Sequence, residues 1–84
     1  MTAGIEIVSP DQNVADLRPK CRMYRARGAD VCWLIHPDQR WVEVWDAANE
    51  GTRLADGDAL ESAALPGFRL ELAQLWAAID TAPA

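Results

Sequence analysis

One lysine and one glutamate occupy positions suited to phosphate chemistry. Lys20, the only lysine among eight basic residues, lies at i+3 of an apolar helical pattern formed by Leu17, Cys21 and Tyr24, which predicts a side chain turned toward the core. A buried ammonium needs a carboxylate partner, because burying an unpaired charge is costly. Glu6, in a short apolar run typical of a buried strand, is the candidate. The pair suggests a metal and phosphate site, or alternatively a buried ion pair that only ties a helix to a sheet.

Length and charge exclude several classes of protein. A chain of 84 residues forms one small domain with a thin core, and its apolar content of 50% argues against disorder. The longest apolar run is too short for a membrane span and the N-terminus lacks a signal-peptide pattern, so we expect a cytoplasmic protein without membrane contact. The net charge of −5 opposes general attraction to nucleic acid, so only a local patch could bind phosphate.

A local basic patch is present between residues 18 and 27, where five of the eight basic residues lie. The simplest interpretation is the solvated outer face of a helix. The alternative is that Arg18 and Arg22 bind phosphate.

Local signals predict the limits of that helix. Pro19 lacks an N–H and is tolerated in a first turn, so Asp16 is the predicted N-cap of a helix over residues 17–27. Gly28 is predicted to end the helix in a left-handed turn. Capping is the simpler role for Asp16, but its carboxylate would lie at the same end of the helix as Lys20, which keeps it as a secondary candidate for the site.

A β-hairpin is predicted after this helix. Residues 31–35 form a continuous apolar strand of the kind covered on both faces, and residues 41–45 alternate. Alternation places three side chains on one face of the second strand, namely Trp41, Glu43 and Trp45. This face could stack bases or a substrate, but large aromatic residues on a small sheet are more often core, and we favour core.

Three further residues have plain structural interpretations. His36 has no partner at metal-ligand spacing and is predicted to be a turn residue. Cys21 and Cys32 lack the spacing of a zinc site and are predicted to be small buried hydrophobes.

The rest of the chain completes a single α/β domain over residues 1–84. A polar loop is predicted over residues 46–51, a short strand over 59–61, and an amphipathic helix from Leu70, with a flexible tail at 81–84. The predicted order is strand, helix, strand, strand, short strand, helix, with a mixed sheet.

Several motifs together resemble one known family. They are Glu6-Ile7-Val8-Ser9-Pro10, then Asp16-Leu17-x-x-Lys20-x-x-x-Tyr24-x-x-x-Gly28, then Trp33-Leu34-Ile35-x-Pro37, then Val42-Glu43-Val44, and finally Leu65-Pro66-Gly67-Phe68. In order and spacing they resemble the Uma-two family of restriction endonucleases, within the PD-(D/E)XK nuclease superfamily. The likeness runs from about residue 3 to residue 77 but covers only the C-terminal half of the usual family domain.

The resemblance implies a truncated restriction-endonuclease-like core that hydrolyses DNA with magnesium or manganese. It makes Glu6 a metal-binding catalytic carboxylate and Lys20 the active-site lysine, and it includes Tyr24 among the matched positions as a secondary candidate. The cation would activate water and neutralise the scissile phosphate, while the lysine stabilises the developing charge.

The chain departs from the family pattern at four positions. Met1 and Thr2 stand where the family often has Pro-Asp, His36 replaces an acidic residue, and Pro19 is unusual inside the helix. The family's second metal ligand, an upstream aspartate, is also missing, so that ligand would come from another subunit, Asp11, Asp16 or Glu43.

Three functions follow from these departures. The chain is an active nuclease, an inactive remnant that no longer holds metal, or a small interaction module whose first strand pairs with another chain. The first strand should leave the apolar side of Ile5 and Ile7 open. We therefore expect a homodimer, a separate chain that supplies the N-terminal half, or marginal stability.

Overall fold

The computed structural model describes residues 2–62 and 64–81. The elements in chain order are β1 (Ala3–Ile7), α1 (Val14–Ala26), β2 (Val31–His36), β3 (Trp41–Trp45), β4 (Glu50–Leu54), β5 (Ala59–Leu60), β6 (Leu70–Glu71) and α2 (Leu72–Thr81). The α/β class with a mixed sheet is therefore confirmed. Of the predicted tail, Thr81 is the last residue of α2, and residues 82–84 lie outside the described part of the chain.

The main sheet has four strands in the order β1, β2, β3, β4. The β1 strand pairs parallel to β2 after the α1 crossover, while β2, β3 and β4 form an antiparallel meander. A separate two-stranded sheet joins β5 to β6. As a result β1 lies at one edge of the main sheet, with only one neighbouring strand.

Both faces of the main sheet are covered over its centre, which makes β2 a strand buried on both sides as predicted. The α1 side is filled by a cluster of seven buried side chains: Val8, Leu17, Cys21, Cys32, Leu34, Trp41 and Trp45. The opposite side packs against α2 and the small sheet through Val31, Trp33, Ile35, Val42, Val44, Leu60, Leu72 and Trp76. The core interpretation of Trp41 and Trp45 is thus confirmed, because they are 6% and 4% exposed.

The α1 helix begins three residues earlier than its sequence signals predict. Asn13, not Asp16, is the N-cap, and its side-chain oxygen accepts a hydrogen bond from the Ala15 N–H at 3.0 Å. Asp16 lies in the first turn and Pro19 lies inside the helix. The capping prediction for Asp16 was wrong because it placed Pro19 in the first turn of the helix. In the structure one more helical turn forms before Pro19, so the helix begins at Val14. The predicted left-handed end at Gly28 is confirmed by its φ of +101°.

The β4 strand was missed: residues 46–51 were predicted to be a polar loop, and no strand was predicted over residues 52–54. Its sequence has no apolar alternation, and its position follows from pairing with β3, with an irregularity between Val44 and Trp45. Gly51 there has a φ of +85° and lies against the Trp45 ring, where a Cβ atom would come within 3.1 Å of the ring. A strand specified by a neighbour in this way leaves little signal in its own residues.

No helix in the described ranges is long and apolar enough to cross a membrane.

Candidate functional site

Glu6 lies on the α1 side of β1 and is held by a hydrogen bond from the helix. The Tyr24 hydroxyl donates to Glu6 Oε1 at 2.7 Å. The Tyr24 ring reaches this position by packing against Gly4, where an added Cβ atom would come within 2.7 Å of Tyr24 Cδ2. Gly4 therefore provides the space that lets an aromatic side chain orient the carboxylate. Among the described residues, no hydrogen bond or ion pair reaches Glu6 Oε2.

The Tyr24 hydroxyl provides a direct solution test of this contact. Its hydrogen bond to Glu6, followed by the negative charge of that carboxylate, raises the pKa of Tyr24 above the ordinary value of 10. Tyr24 is the only tyrosine in the chain, so the phenolate absorbance titrates this residue alone. We expect Glu6→Gln to lower the Tyr24 pKa toward 10, because removing the charge makes phenolate formation easier. Glu61→Gln removes an exposed carboxylate bonded to Arg69 and should leave the Tyr24 pKa unchanged; an equal effect of both substitutions would contradict the contact.

Lys20 does not point into the core, and the predicted ion pair with Glu6 is absent from the described residues. The side chain is exposed, because α1 packs through Leu17 and Cys21 and leaves position 20 at the rim of the buried stripe. Placing it in the core from its i+3 spacing was wrong. Lys20 nevertheless precedes Tyr24 by four residues, which places the two side chains on the same side of the helix.

Lys20 and Glu6 also lie at a similar height along the sheet. The helix returns antiparallel to β1, and Tyr24 packs over Gly4 at the start of that strand. Four helical residues advance about 6 Å, and the two strand residues from Gly4 to Glu6 advance about 6.6 Å. Lys20 and Glu6 are therefore at about the same height along the sheet, and no hydrogen bond or ion pair joins them in the described part of the chain.

A second carboxylate on the same face is fully neutralised. Glu43 is 3% exposed and accepts hydrogen bonds from Arg18 Nε at 3.0 Å and Arg18 Nη2 at 2.7 Å. Arg53 Nη2 on β4 donates to the same carboxylate at 3.0 Å, and its guanidinium lies 4.0 Å from the centre of the Trp41 ring. A carboxylate with two arginine partners is unsuited to bind a cation as well, so Glu43 fits poorly as the missing metal ligand.

The register of the sheet explains why the two carboxylates differ. Glu6 pairs with Leu34, and Leu34 pairs with Glu43, so a fully buried leucine separates them. Glu43 in turn pairs with Arg53. Burial alone would raise the pKa of Glu43, but the hydrogen bonds and charges of Arg18 and Arg53 outweigh burial and leave it below the ordinary value of 4.5. The lowered pKa favours the ionised form of Glu43 in a structural role, whereas no partner within residues 2–62 and 64–81 engages the second oxygen of Glu6.

The two arginines predicted to bind phosphate, Arg18 and Arg22, differ in whether a carboxylate already pairs with them. Arg18 is committed to Glu43. Arg22 is exposed and its guanidinium lies 5.2 Å from the centre of the Trp45 ring. It lines a cleft of about 470 Å³ together with Arg25 and the loop after β3. Of the two, Arg22 alone has no carboxylate partner in the described part of the chain.

The described residues supply one suitable metal ligand but not a complete set. Glu6 fits as a ligand of a hard divalent cation, because a carboxylate oxygen is the preferred donor and Oε2 is unengaged. Within residues 2–62 and 64–81, no three His, Cys, Asp or Glu side chains come together. Asp11 and Asp16 are both exposed, with Asp16 one further turn along the Lys20 side of α1.

Arg53, which neutralises Glu43 beside the candidate site, was missed from the sequence. Its role depends on the β4 strand, which has no clear signal of its own. The only signal in the sequence is that Arg53 follows the strand that carries Glu43. The sequence does not show that the two residues pair.

Comparison with known proteins gives the family and the fold. Residues 4–73 match the Uma2 family, described as "Putative restriction endonuclease", and no curated protein matches the chain. One solved structure, "a putative nuclease belonging to DUF820" from Anabaena variabilis ATCC 29413, superposes with a TM-score of 0.75 at 28% sequence identity, covering 89% of this chain. The chain spans only 43% of the length of that neighbour. The chain belongs to the Uma2 restriction endonuclease family, with a nuclease-like α/β fold.

Proposed function

We propose that this chain is a metal-dependent DNA endonuclease of the PD-(D/E)XK type in which Glu6 and Lys20 carry the chemistry. The observation that carries the proposal is the placement of Glu6, whose carboxylate is oriented by the Tyr24 hydroxyl at 2.7 Å. The only lysine of the chain lies four residues before Tyr24 on the same side of α1. Family membership supports the reaction class.

The residues divide the work of phosphodiester hydrolysis between them. Glu6 Oε2 would bind magnesium or manganese, which when bound supplies an activated water and charge neutralisation. Lys20, being exposed and without a carboxylate partner among the described residues, would stabilise the negative charge that develops on the phosphate. Arg22 would hold the DNA backbone further along the helix, while Tyr24 keeps the Glu6 carboxylate in one orientation.

The second carboxylate could come from a second copy of the chain. The β1 strand lies at the sheet edge with Ile5 and Ile7 exposed by 55% and 57%, which agrees with the expected open apolar side. A two-fold antiparallel pairing centred on Ile5 would set Ile5 against its own copy and Glu6 opposite Gly4 of the second copy. The two glutamates would then be diagonal neighbours about 7–8 Å apart on one face, close enough to share cations. Asp16 of the same chain is the alternative source.

Self-association at β1 is open to a direct test. We expect the protein to be dimeric by light scattering, with dissociation on dilution. Ile5→Lys should give a monomer, because an exposed lysine on an edge strand opposes pairing. Met23→Lys changes a residue 39% exposed on α1 and should stay dimeric. A wild-type protein that is monomeric at all concentrations would exclude the second copy as the ligand source.

Metal binding tests the role of Glu6 without requiring turnover. We expect Mn²⁺ to bind, as measured by electron paramagnetic resonance. Glu6→Gln should weaken the Mn²⁺ affinity by at least about tenfold, because even substitutions of residues that only support a metal ligand usually cost that much. Glu61→Gln is the matched control on an exposed carboxylate. Equal Mn²⁺ affinity in the wild type and the Glu6 variant would overturn the metal role.

A non-catalytic interaction module is the alternative function. The exposed isoleucines of β1 favour it, because an edge strand with an open apolar side is suited to strand addition. This function predicts a dimer that neither binds Mn²⁺ through Glu6 nor cleaves DNA.

A further inference from the structure

Two buried cysteines lie in contact between α1 and β2. Cys21 is on the helix, Cys32 is on the central strand, and both are fully buried. The Cys32 thiol donates a hydrogen bond to the Cys21 sulfur, with the two Sγ atoms 2.8 Å apart. Neither residue has a part in the proposed nuclease chemistry. The sequence predicts only two small buried hydrophobes and gives no indication that the two sulfurs meet.

We propose that Cys21 and Cys32 form a reversible disulfide that locks α1 onto the sheet when the protein meets a peroxide. The two sulfurs would have to approach by less than 1 Å to reach the bonding distance of about 2.05 Å. Side-chain rotation can supply so small a movement, because one cysteine lies on a helix already packed on the strand that carries the other. The pair is therefore a candidate modification site independent of the nuclease proposal.

The reaction balances with a peroxide as the two-electron oxidant. The Cys21 sulfur attacks one peroxide oxygen, so that an S–O bond forms, the O–O bond breaks and the departing hydroxide takes a proton to become water. The Cys32 sulfur then attacks the Cys21 sulfur, forming the S–S bond and breaking the S–O bond. The departing oxygen takes the Cys32 proton and leaves as a second water.

The hydrogen bond assigns different parts to the two thiols. The donation from Cys32 lowers the pKa of Cys21 despite the opposing effect of burial, and the thiolate is the form that attacks peroxide. The pKa of Cys32 is raised, first because its proton is held by Cys21 and second by burial. Cys21 is thus the attacking sulfur and Cys32 the resolving one. Because both are buried, a small oxidant should reach them faster than a bulky thiol reagent.

The disulfide would act on the helix that carries the candidate site. Cys21 lies next to Lys20 and three residues before Tyr24, so a covalent bond to β2 would hold both side chains in place above the sheet. The disulfide would close a short loop and so restrict the conformations of the unfolded chain. This restriction should raise the melting temperature by on the order of 10 °C. In a reducing compartment the thiols stay free until an oxidant appears.

Mass spectrometry of the intact chain tests the pair without any substitution. After hydrogen peroxide treatment under non-reducing conditions we expect the monomer to lose the mass of two hydrogens, to gain thermal stability, and to recover both properties with dithiothreitol. Cys32→Ala should instead gain oxygen on Cys21, whereas the remaining thiol of Cys21→Ala should resist oxidation. Peptide mapping separates these changes from oxygen added to the exposed Met23. Three outcomes would each overturn the proposal: two free thiols in the treated wild type, oxygen added to a cysteine without cross-linking, or disulfides formed only between molecules.

Discussion

Replacing Arg18 and Arg53 together by methionine is expected to cost about 3–5 kcal/mol of unfolding free energy at neutral pH, the usual range for a buried charge left without its partner. Both arginines are partly exposed, at 35% and 50%, so their own charges lose little. The cost arises at Glu43, which is 3% exposed and would remain ionised without a donor. An 84-residue protein has about 4–13 kcal/mol of unfolding free energy in total, so the loss removes a large fraction of the stability.

Two comparison variants separate burial of the charge from loss of packing. Adding Glu43→Leu to the double variant removes the unpaired carboxylate and should recover most of the stability, since apolar replacements of buried ion pairs are often neutral or better. Arg69→Met breaks only exposed pairs with Glu61 and Glu71 and should leave the stability close to that of the wild type, because exposed ion pairs contribute little. Urea unfolding followed by tryptophan fluorescence measures all of these. A double variant as stable as the wild type would show that the cluster is not structural.

The same cluster gives stability a defined pH dependence. In the wild type the folded pKa of Glu43 lies below its ordinary value of 4.5. Its contribution is therefore full above pH 4.5 and is lost as the pH falls through the lower folded pKa. In the double variant only burial remains, which should raise the folded pKa above the unfolded one. The stability gap between the two proteins should then be widest at neutral pH and narrow in acid.

The elements that sequence predicts well are those whose own residues carry the pattern. The apolar β2 strand, the alternating β3 strand and the amphipathic α2 helix each bury the residues their spacing indicates. The α1 boundary was displaced because local rules for Pro19 and Asp16 were outweighed by the Asn13 cap. The β4 strand was missed because its position depends on pairing with β3 rather than on its own sequence.

The candidate site shows the same limit more sharply. Glu6 and Tyr24 were both identified from sequence, but their contact was not, since it requires Gly4 to admit the tyrosine ring. Lys20 was assigned to the core from its three-residue spacing to Leu17. That spacing is also compatible with the exposed rim of the buried helix face, where Lys20 lies. Glu43 was recognised as unusual, yet its partners come from a helix and an unpredicted strand. Which carboxylate is neutralised is therefore a property of the assembled sheet.

That difference between the two carboxylates is the basis of the functional proposal. Glu43 is closed off by two arginines, and its removal should act on stability. Glu6 has one oxygen held and one oxygen unengaged in the described structure, and its removal should act on chemistry. A single fold thus keeps one acidic side chain for packing and presents another at its edge.

The largest expected effect is the loss of DNA cleavage when either proposed catalytic residue is removed. Glu6→Ala takes away the carboxylate proposed to bind the cation, and Lys20→Ala removes the charge that would stabilise the transition state. Each loss should lower the rate at least about a hundredfold, as removal of a single stabilising donor commonly does. Arg69→Ala, which removes an exposed positive charge paired with Glu61, should keep the wild-type rate. Circular dichroism establishes that each variant remains folded.

Nicking of supercoiled plasmid by the purified chain with magnesium or manganese is the decisive test of whether Glu6 and Lys20 hydrolyse DNA. We expect metal-dependent nicking by the wild type and by Arg69→Ala, and none by Glu6→Ala or Lys20→Ala. Intact plasmid after incubation with folded, dimeric wild-type protein, or nicking that persists in both catalytic variants, would contradict this expectation.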